Sequence, residues 1–237
     1  MAVERKLLVS VLKLTKGRPV AKELVGRDAN VPVQVADEML KKFCEAGLIQ
    51  WRGKTIEASS NQRVKIAIHA IKSGADFERV GSFLEWIEFE NITATAFEAN
   101  NFSTRKRFRF KWAQRRWEID VLGCREPLIA CVDCKHWSRG WRKSVIKKAV
   151  EAQALRAKAL AEAIPSLQEK IGLVQWRQAI LIPVVLSLVP GPLKFYNKVP
   201  IVPILQLQNF LNELPAHVTS LSHFSVYFSE CRQGKTC

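Results

Sequence analysis

Apolar positions in this chain recur with a helical period at its start and with a strand period at its centre. Val3, Leu7, Leu8, Val11 and Leu12 lie three or four residues apart, the spacing of one helix face, and predict a helix over 3–14. A second helix is expected over 19–28, with Pro19 in its first turn. A third is expected over 30–47, with Pro32 near its start and Gly47 as its stop. Two short strands around Arg52-Gly53-Lys54 predict a hairpin over 48–59. Residues 60–73 predict another amphipathic helix, closed by Gly74. The stretch 76–102 reads as two helical pieces parted at Gly81-Ser82, with one face running through Phe83, Ile87, Asn91 and Ala94.

From there the period changes. Strands are predicted at about 106–113, 116–123 and 128–136, then a long helix over 141–164 stopped by Pro165. A buried strand near 177–188, a short one over 198–205, a helix over 206–214 and a last strand over 223–229 complete the chain. This order argues for an α/β fold, a mixed β-sheet flanked by helices. Within it, Ile129, Cys131, Asp133 and Lys135 share one face of the third strand, and Glu118, Asp120 and Leu122 one face of the second. The turn "GCREP" lets the two strands pair antiparallel, so Asp120 and Asp133 are expected to point into one place.

Residues 1–59 have their own order: three helices and a hairpin with a basic tip. That is the order of a small winged helix-turn-helix domain, which lays its third helix in the DNA major groove. Lys41, Lys42, Arg52 and Lys54 are its candidate phosphate contacts, while Gln34, Asp37 and Glu38 make a poor base-reading set. Winged helices also serve as protein-interaction modules. The expected organisation is 1–59 for this domain, 60–75 for a connecting helix and 76–237 for the α/β domain.

Composition changes the picture mainly through charge. Hydrophobic residues at 48% and charged residues at 25% are ordinary for a globular protein, but the net charge is +15. Residues 103–148 hold 14 Lys/Arg against 4 Asp/Glu, a net +10 in under a fifth of the chain. A one-sided concentration of this kind suits a polyanion. Trp112, Trp117, Trp137 and Trp141 are interleaved with it, which fits nucleic acid, although tryptophans in strands also build cores. DNA is therefore the favoured partner. Its candidate contacts are Arg105, Lys106, Arg107, Arg109, Lys111, Arg115, Arg116, Arg139, Arg142 and Lys143.

Other classes lose ground. The longest apolar run, 179–193, is short and broken by Pro183 and Pro190, so no membrane span is expected. Six cysteines and no export signal fit a reducing, cytoplasmic setting. No G-x-x-x-x-G-K-[ST] motif is present, so no nucleoside triphosphate is expected. Cys131-x-x-Cys134 has no second pair at zinc spacing among Cys124, Cys231 and Cys237. Three residues apart on a strand, these two thiols point to opposite faces and read as small buried hydrophobes.

Asp120, Asp133 and Lys135 sit inside apolar strands, where unpaired charge is expensive. Two converging carboxylates repel unless a cation sits between them. Mg²⁺ suits such an oxygen-rich site, keeping waters and bridging to phosphate oxygens. A structural Asp–Lys ion pair is the plainer alternative.

"EFENITATAFEANNF", "EIDVLG" and "ACVDCKHW" together resemble the PD-(D/E)xK nuclease superfamily, particularly Mrr-like restriction endonucleases and archaeal Holliday-junction resolvases. The resemblance covers roughly 80–185 and implies a restriction-endonuclease-like core. It implies that Asp120 is the acid of the second strand, with Ile119 where the motif has Pro, and that Asp133 and Lys135 form the D-x-K. The Cys134 carbonyl would be a metal ligand. The helix acid is Glu90, which best matches the pattern, or Glu88. Gln153 resembles a glutamine that some relatives place near the site. The activity implied is a Mg²⁺- or Mn²⁺-dependent DNA endonuclease of restriction or repair type, working as a homodimer. The alternative is a non-catalytic winged-helix DNA-binding or regulatory protein with a retired nuclease domain.

Overall fold

The first helix, α1 (Ala2–Leu14), forms where the helical period predicts it and buries Leu7, Leu8, Val11 and Leu12. A computed structural model describes residues 2–135, 142–188 and 190–228, without the side chains of Phe77 and Glu78. The chain divides into two compact units, one ending at Ile92 and the other beginning at Thr93. The first therefore takes in the helix expected to connect two domains and everything up to the middle of α6.

In the first unit, β1 (Val20–Ala21), α2 (Lys22–Ala29), α3 (Val33–Glu45), β2 (Gln50–Arg52) and β3 (Thr55–Glu57) follow α1. The helix expected from Pro19 begins instead at Lys22. Val20 and Ala21 pair with Ile56 and Thr55, so burying Val20 in a sheet of order β1-β3-β2 wins over early helix formation. The hairpin turns at Gly53, whose φ of 60° favours glycine. Then come α4 (Ser60–Lys72), α5 (Phe77–Ser82) and the start of α6 (Trp86–Glu98). Ser59 and Gln62 form a capping box at the start of α4.

α4 packs on α1 and buries Arg63, whose side chain is 3% exposed. Its guanidinium donates to Glu88 (2.6 Å), to the Leu12 and Phe83 carbonyls (2.5 and 2.6 Å) and to Thr15 Oγ1 (3.1 Å). The other Glu88 oxygen accepts the Glu85 amide at 2.7 Å. A buried ion pair holds only when further hydrogen bonds satisfy both partners, and here they do. Glu88 is thus a structural counter-ion to Arg63 of α4.

The face expected along α6 is also different. Ile87 is exposed and Asn91 half-buried, whereas Phe89, Glu90, Thr93, Ala94 and Phe97 are buried. The buried stripe is shifted because Phe89 and Phe97 have the larger apolar surfaces to hide.

The second unit is a seven-stranded mixed sheet flanked by helices, as the element order predicts. β4 (Ser103–Trp112), β5 (Arg115–Arg125) and β6 (Leu128–Lys135) run antiparallel in sequence. α7 (Lys143–Ala163) and the short α8 (Gln168–Ile171) lead to β7 (Gln178–Ser187), which pairs parallel with β6 over its whole length. β8 (Phe195–Tyr196), β9 (Val199–Pro203), α9 (Leu207–His217) and β10 (Phe224–Tyr227) complete the unit. β9 pairs with the last residues of β7 and β10 with its first, so the two short strands share one edge. β6 and β9 are buried almost throughout, because helices cover both faces of the parallel part.

α7 covers one face, where Ala157 and Leu160 join Leu122, Ile129, Cys131 and Leu181 in the main core. The C-terminal half of α6 lies on the opposite face. There a Cβ on Gly123 would come within 2.4 Å of the Phe97 ring, so only glycine allows the helix this close. Asn100 and Gln208 exchange hydrogen bonds of 3.1 and 2.9 Å, tying the end of α6 to α9.

Replacing Arg63 by Ala strands a buried Glu88 carboxylate, which costs about 3–5 kcal/mol when one partner of a buried pair is removed. Thermal denaturation should show a large drop in the unfolding midpoint. Glu88→Gln, which keeps the side-chain volume and one of the two acceptors, should lower it less.

Candidate functional site

β6 keeps a regular alternation. Ile129 and Cys131 enter the core beneath α7, and Asp133, two residues on, meets the same helix through Arg156. The Asp133 side chain is 5% exposed. Its Oδ1 accepts from Arg156 Nη1 at 3.0 Å and from Lys135 Nζ at 3.1 Å. Its Oδ2 lies 2.8 Å from Lys135 Nζ, an ion-pair distance, yet the angle makes no hydrogen bond, and among the described residues this buried oxygen has no other partner. A buried carboxylate oxygen without a hydrogen bond is unusual and asks for a ligand.

Gln153 stands behind this arrangement. Fully buried, it donates from Nε2 to the Cys131 carbonyl at 2.6 Å and accepts from Arg156 Nη1 at 3.3 Å. It thereby supports the Arg156 guanidinium. Arg156 itself was missed at the sequence level. The spacing Gln153-x-x-Arg156 on a helix was its only signal, since residues three apart share a face.

Asp120 arrives by a break in the sheet. The β4–β5 ladder pairs Lys106 with Val121 and Phe108 with Ile119, on either side of Arg107 and Asp120. Arg107 has a φ of 51°, the left-handed region that side chains other than glycine rarely adopt. The β5–β6 ladder also stops at Val121–Val132. As a result Ile119 and Leu122, three residues apart, both face the core beneath α7. The expectation that Glu118, Asp120 and Leu122 share one face is therefore corrected: the alternation slips at Asp120–Val121.

The slip does not separate the acids. Asp120 Oδ2 accepts the Cys134 amide at 2.8 Å, one residue along from Asp133. In an extended residue the amide and carbonyl point to the same side, so the Cys134 carbonyl also turns toward β5. Asp120, Asp133, Lys135 and the Cys134 main chain are thus brought together. Glu90 belongs to the first unit and is 2% exposed; it lies one helical turn ahead of Thr93, whose hydroxyl meets Cys134 Sγ at 3.8 Å. Among the described residues no group of three or more His, Cys, Asp or Glu side chains is gathered to hold a metal. Two carboxylates and a carbonyl nevertheless suit Mg²⁺, which binds through one or two carboxylates and keeps its waters.

Cys131 and Cys134 face opposite sides of β6, as their spacing predicts. Burial pushes the Cys131 thiol well up, and it pushes Cys124 up to about 12 against an opposing pull from Arg105. Both stay protonated at neutral pH, unlike a metal-binding or redox thiolate. His136, Arg139, Trp137, Trp141, Cys231 and Cys237 lie outside the described residues.

The expected DNA contacts are largely exposed. Arg105, Lys106, Arg107, Arg109, Lys111, Arg115 and Arg116 are exposed on the β4–β5 hairpin, and Arg142 and Lys143 at the start of α7. Arg109 is ion-paired with Glu118 at 2.6 Å, and Arg115 lies over the Trp117 ring at 4.2 Å. Beside them an open cleft of about 630 Å³ is lined by Arg109, Lys111, Arg116 and Lys170 against Phe110 and Trp117. Trp112 and Trp117 are half-buried against the main core, so they build the hairpin as well as edging this surface. In the first unit Lys41, Lys42, Arg52 and Lys54 are exposed, with Arg52 paired to Glu57 at 3.0 Å. No helix among the described residues is long and apolar enough to cross a membrane.

No protein-family profile matches the chain. An uncharacterized protein of Archaeoglobus fulgidus is 33% identical over 132 residues, which cover 55% of this chain and 92% of that protein. Among solved structures, protein VC1899 from Vibrio cholerae is similar at a TM-score of 0.38 and 12% identity. The similarity covers 92% of this chain but only 52% of that one.

Alkylation of the folded protein at pH 8 should spare Cys124 and Cys131 while modifying the half-buried Cys44, read by peptide mass mapping. With a pKa of about 12, Cys124 is roughly one part in ten thousand thiolate at pH 8, and its labelling should climb as pH rises toward that value.

Proposed function

The chain belongs to one family with that uncharacterized Archaeoglobus fulgidus protein, and we propose that it is a divalent-metal-dependent deoxyribonuclease. The observation that carries this reading is Asp133: a buried carboxylate with an unbonded oxygen, beside Lys135, with Asp120 fixed to the next peptide. The resemblance of the acid and lysine pattern to the PD-(D/E)xK superfamily supports it from the sequence side.

Asp120, Asp133 and the Cys134 carbonyl would hold the metal, and the unbonded Asp133 Oδ2 is the atom that fits it. Bound there, Mg²⁺ or Mn²⁺ would supply a water of lowered pKa and stabilise charge on the attacked phosphodiester. The Lys135 Nζ lies 2.8 Å from Asp133 and would offset the charge that grows on the phosphate oxygens. Burial beneath α7 limits water around these groups and strengthens each of their interactions. This set is drawn from the second unit alone; Glu90 joins it only by the family resemblance.

The exposed cations of the β4–β5 hairpin and the start of α7 would track the DNA backbone. The first three helices, the small sheet and the exposed Lys41, Lys42, Arg52 and Lys54 support a winged-helix role in docking duplex DNA. Two copies would be needed to cut both strands, which favours a homodimer. The four described cysteines are free thiols, which suits a reducing cytoplasm.

A second reading has its own support. Lys135 and Arg156 together neutralise Asp133, as a purely structural ion pair would, and then the protein binds DNA without cutting it.

Labelled duplex, methylated duplex, single strand, flap and four-way junction should be incubated with the full chain in Mg²⁺, Mn²⁺ or EDTA. Metal-dependent cutting is expected, and Asp133→Asn should slow it by at least about 100-fold, the scale of one lost electrostatic group. Binding should weaken with salt, with a log–log slope of about −0.9 per phosphate contacted. Salt-sensitive binding with no cutting of any member would sink the nuclease reading and leave the second.

A further inference from the structure

Asp133 is one carboxylate facing two cations. Lys135 Nζ lies 2.8 Å from Oδ2 and Arg156 Nη1 3.0 Å from Oδ1. A divalent ion arriving at Oδ2 would meet both of them as like charges. It can settle there only if one cation leaves the carboxylate or if an anion enters with the metal.

The two cations differ in their freedom to leave. Lys135 is anchored in β6 two residues from Asp133, with its main chain paired to Ser187 of β7. Arg156 reaches in from α7 on a long side chain that is 30% exposed, and its second contact is a weak one, 3.3 Å to Gln153 Oε1. Gln153 cannot follow it, being fully buried and held by the Cys131 carbonyl at 2.6 Å. The guanidinium is therefore the movable member, and its planar fork fits two oxygens of a phosphodiester as well as it fits a carboxylate.

We propose that Arg156 is a positioning residue that couples metal binding to DNA binding: without DNA it occupies Asp133 and opposes the metal, and with DNA it moves to a phosphate oxygen and yields the carboxylate. The inference rests on the nuclease reading of the same site. Coupling of this kind is reciprocal, so metal tightens DNA by the factor by which DNA tightens metal. Away from its substrate the protein holds metal poorly, and the complete centre assembles on the phosphodiester.

The test is Mn²⁺ binding to the full chain, read from the electron paramagnetic resonance signal of the free ion. It is measured with and without a saturating phosphorothioate duplex that resists cutting. The wild type should gain roughly 5- to 150-fold in Mn²⁺ affinity when DNA is present, the usual range of such coupling. Arg156→Gln should bind Mn²⁺ alone more tightly than the wild type and lose most of the dependence on DNA. Arg156→Lys, which keeps the charge but not the fork, should bind Mn²⁺ alone as weakly as the wild type.

Arg156→Gln with an unchanged melting temperature and no gain in Mn²⁺ affinity would overturn the inference. Should that variant fail to fold, a wild-type Mn²⁺ affinity indifferent to DNA overturns it as well. Mn²⁺ binding that Asp133→Asn abolishes, but that DNA does not alter, sinks the coupling and spares the metal site. If the wild type binds no Mn²⁺ with or without DNA, the nuclease reading falls together with it.

Discussion

A carboxylate set in the middle of a buried strand must be neutralised where it stands, and that constraint at Asp133 organises the second unit. β6 is hydrogen-bonded to β7 throughout and covered on both faces, and the Asp133 side chain is only 5% exposed, so its charge is shut off from bulk water. Neutralisation has to come from the strand itself or from the helix above. The period of two supplies Lys135 on the same face, and the helical spacing of α7 supplies Arg156 with Gln153 one turn before it. Gln153 also ties α7 to β6 through the Cys131 carbonyl, so helix position and charge balance are set by neighbouring contacts.

The second organising feature is the break opposite Asp120. With a regular alternation the neighbours of Asp120, Ile119 and Val121, would share a face. Leu122 would then be turned away from the core that holds Ile119. The slip lets Phe108, Ile119 and Leu122 all reach the apolar core beneath α7. The left-handed conformation of Arg107 costs about 1–2 kcal/mol, and burying these side chains offsets it at about 1.5–3 kcal/mol each. At the break sits Asp120, whose carboxylate turns to the Cys134 amide. The strain and the functional candidate thus share one cause.

Much of this was legible from the sequence, with limits that have physical reasons. β6, α7 and β7 are long and strongly patterned, so their period fixes type and approximate ends. The opposite faces of Cys131 and Cys134 follow from strand geometry alone. β1 was missed because two residues carry no period; only their pairing with β3 makes them a strand. The buried stripe of α6 was misplaced for a related reason. Helical spacing allows several stripes, and the contacts of Phe97 with Gly123 select one. The slip at Asp120 depends on a backbone conformation at Arg107, a residue whose type does not announce it. Arg63 with Glu88, and Arg156 with Asp133, join residues 23 or more apart, and nothing local marks either arginine as the partner of a distant buried acid.

The plain ion-pair account of Asp133 leaves a physical remainder. A buried ion pair seldom stabilises more than well-packed apolar residues of similar volume, because desolvation consumes the attraction. Arg63 and Glu88 show what a structural pair of this chain looks like: both Glu88 oxygens and the guanidinium are bonded all round. Asp133 differs on both counts. It has two cations where one would neutralise it, and an oxygen that neither of them hydrogen-bonds. A pair selected for stability would lose the second cation or satisfy the second oxygen. Two cations on one carboxylate, with an oxygen that neither of them hydrogen-bonds, is the feature on which the proposed metal site rests.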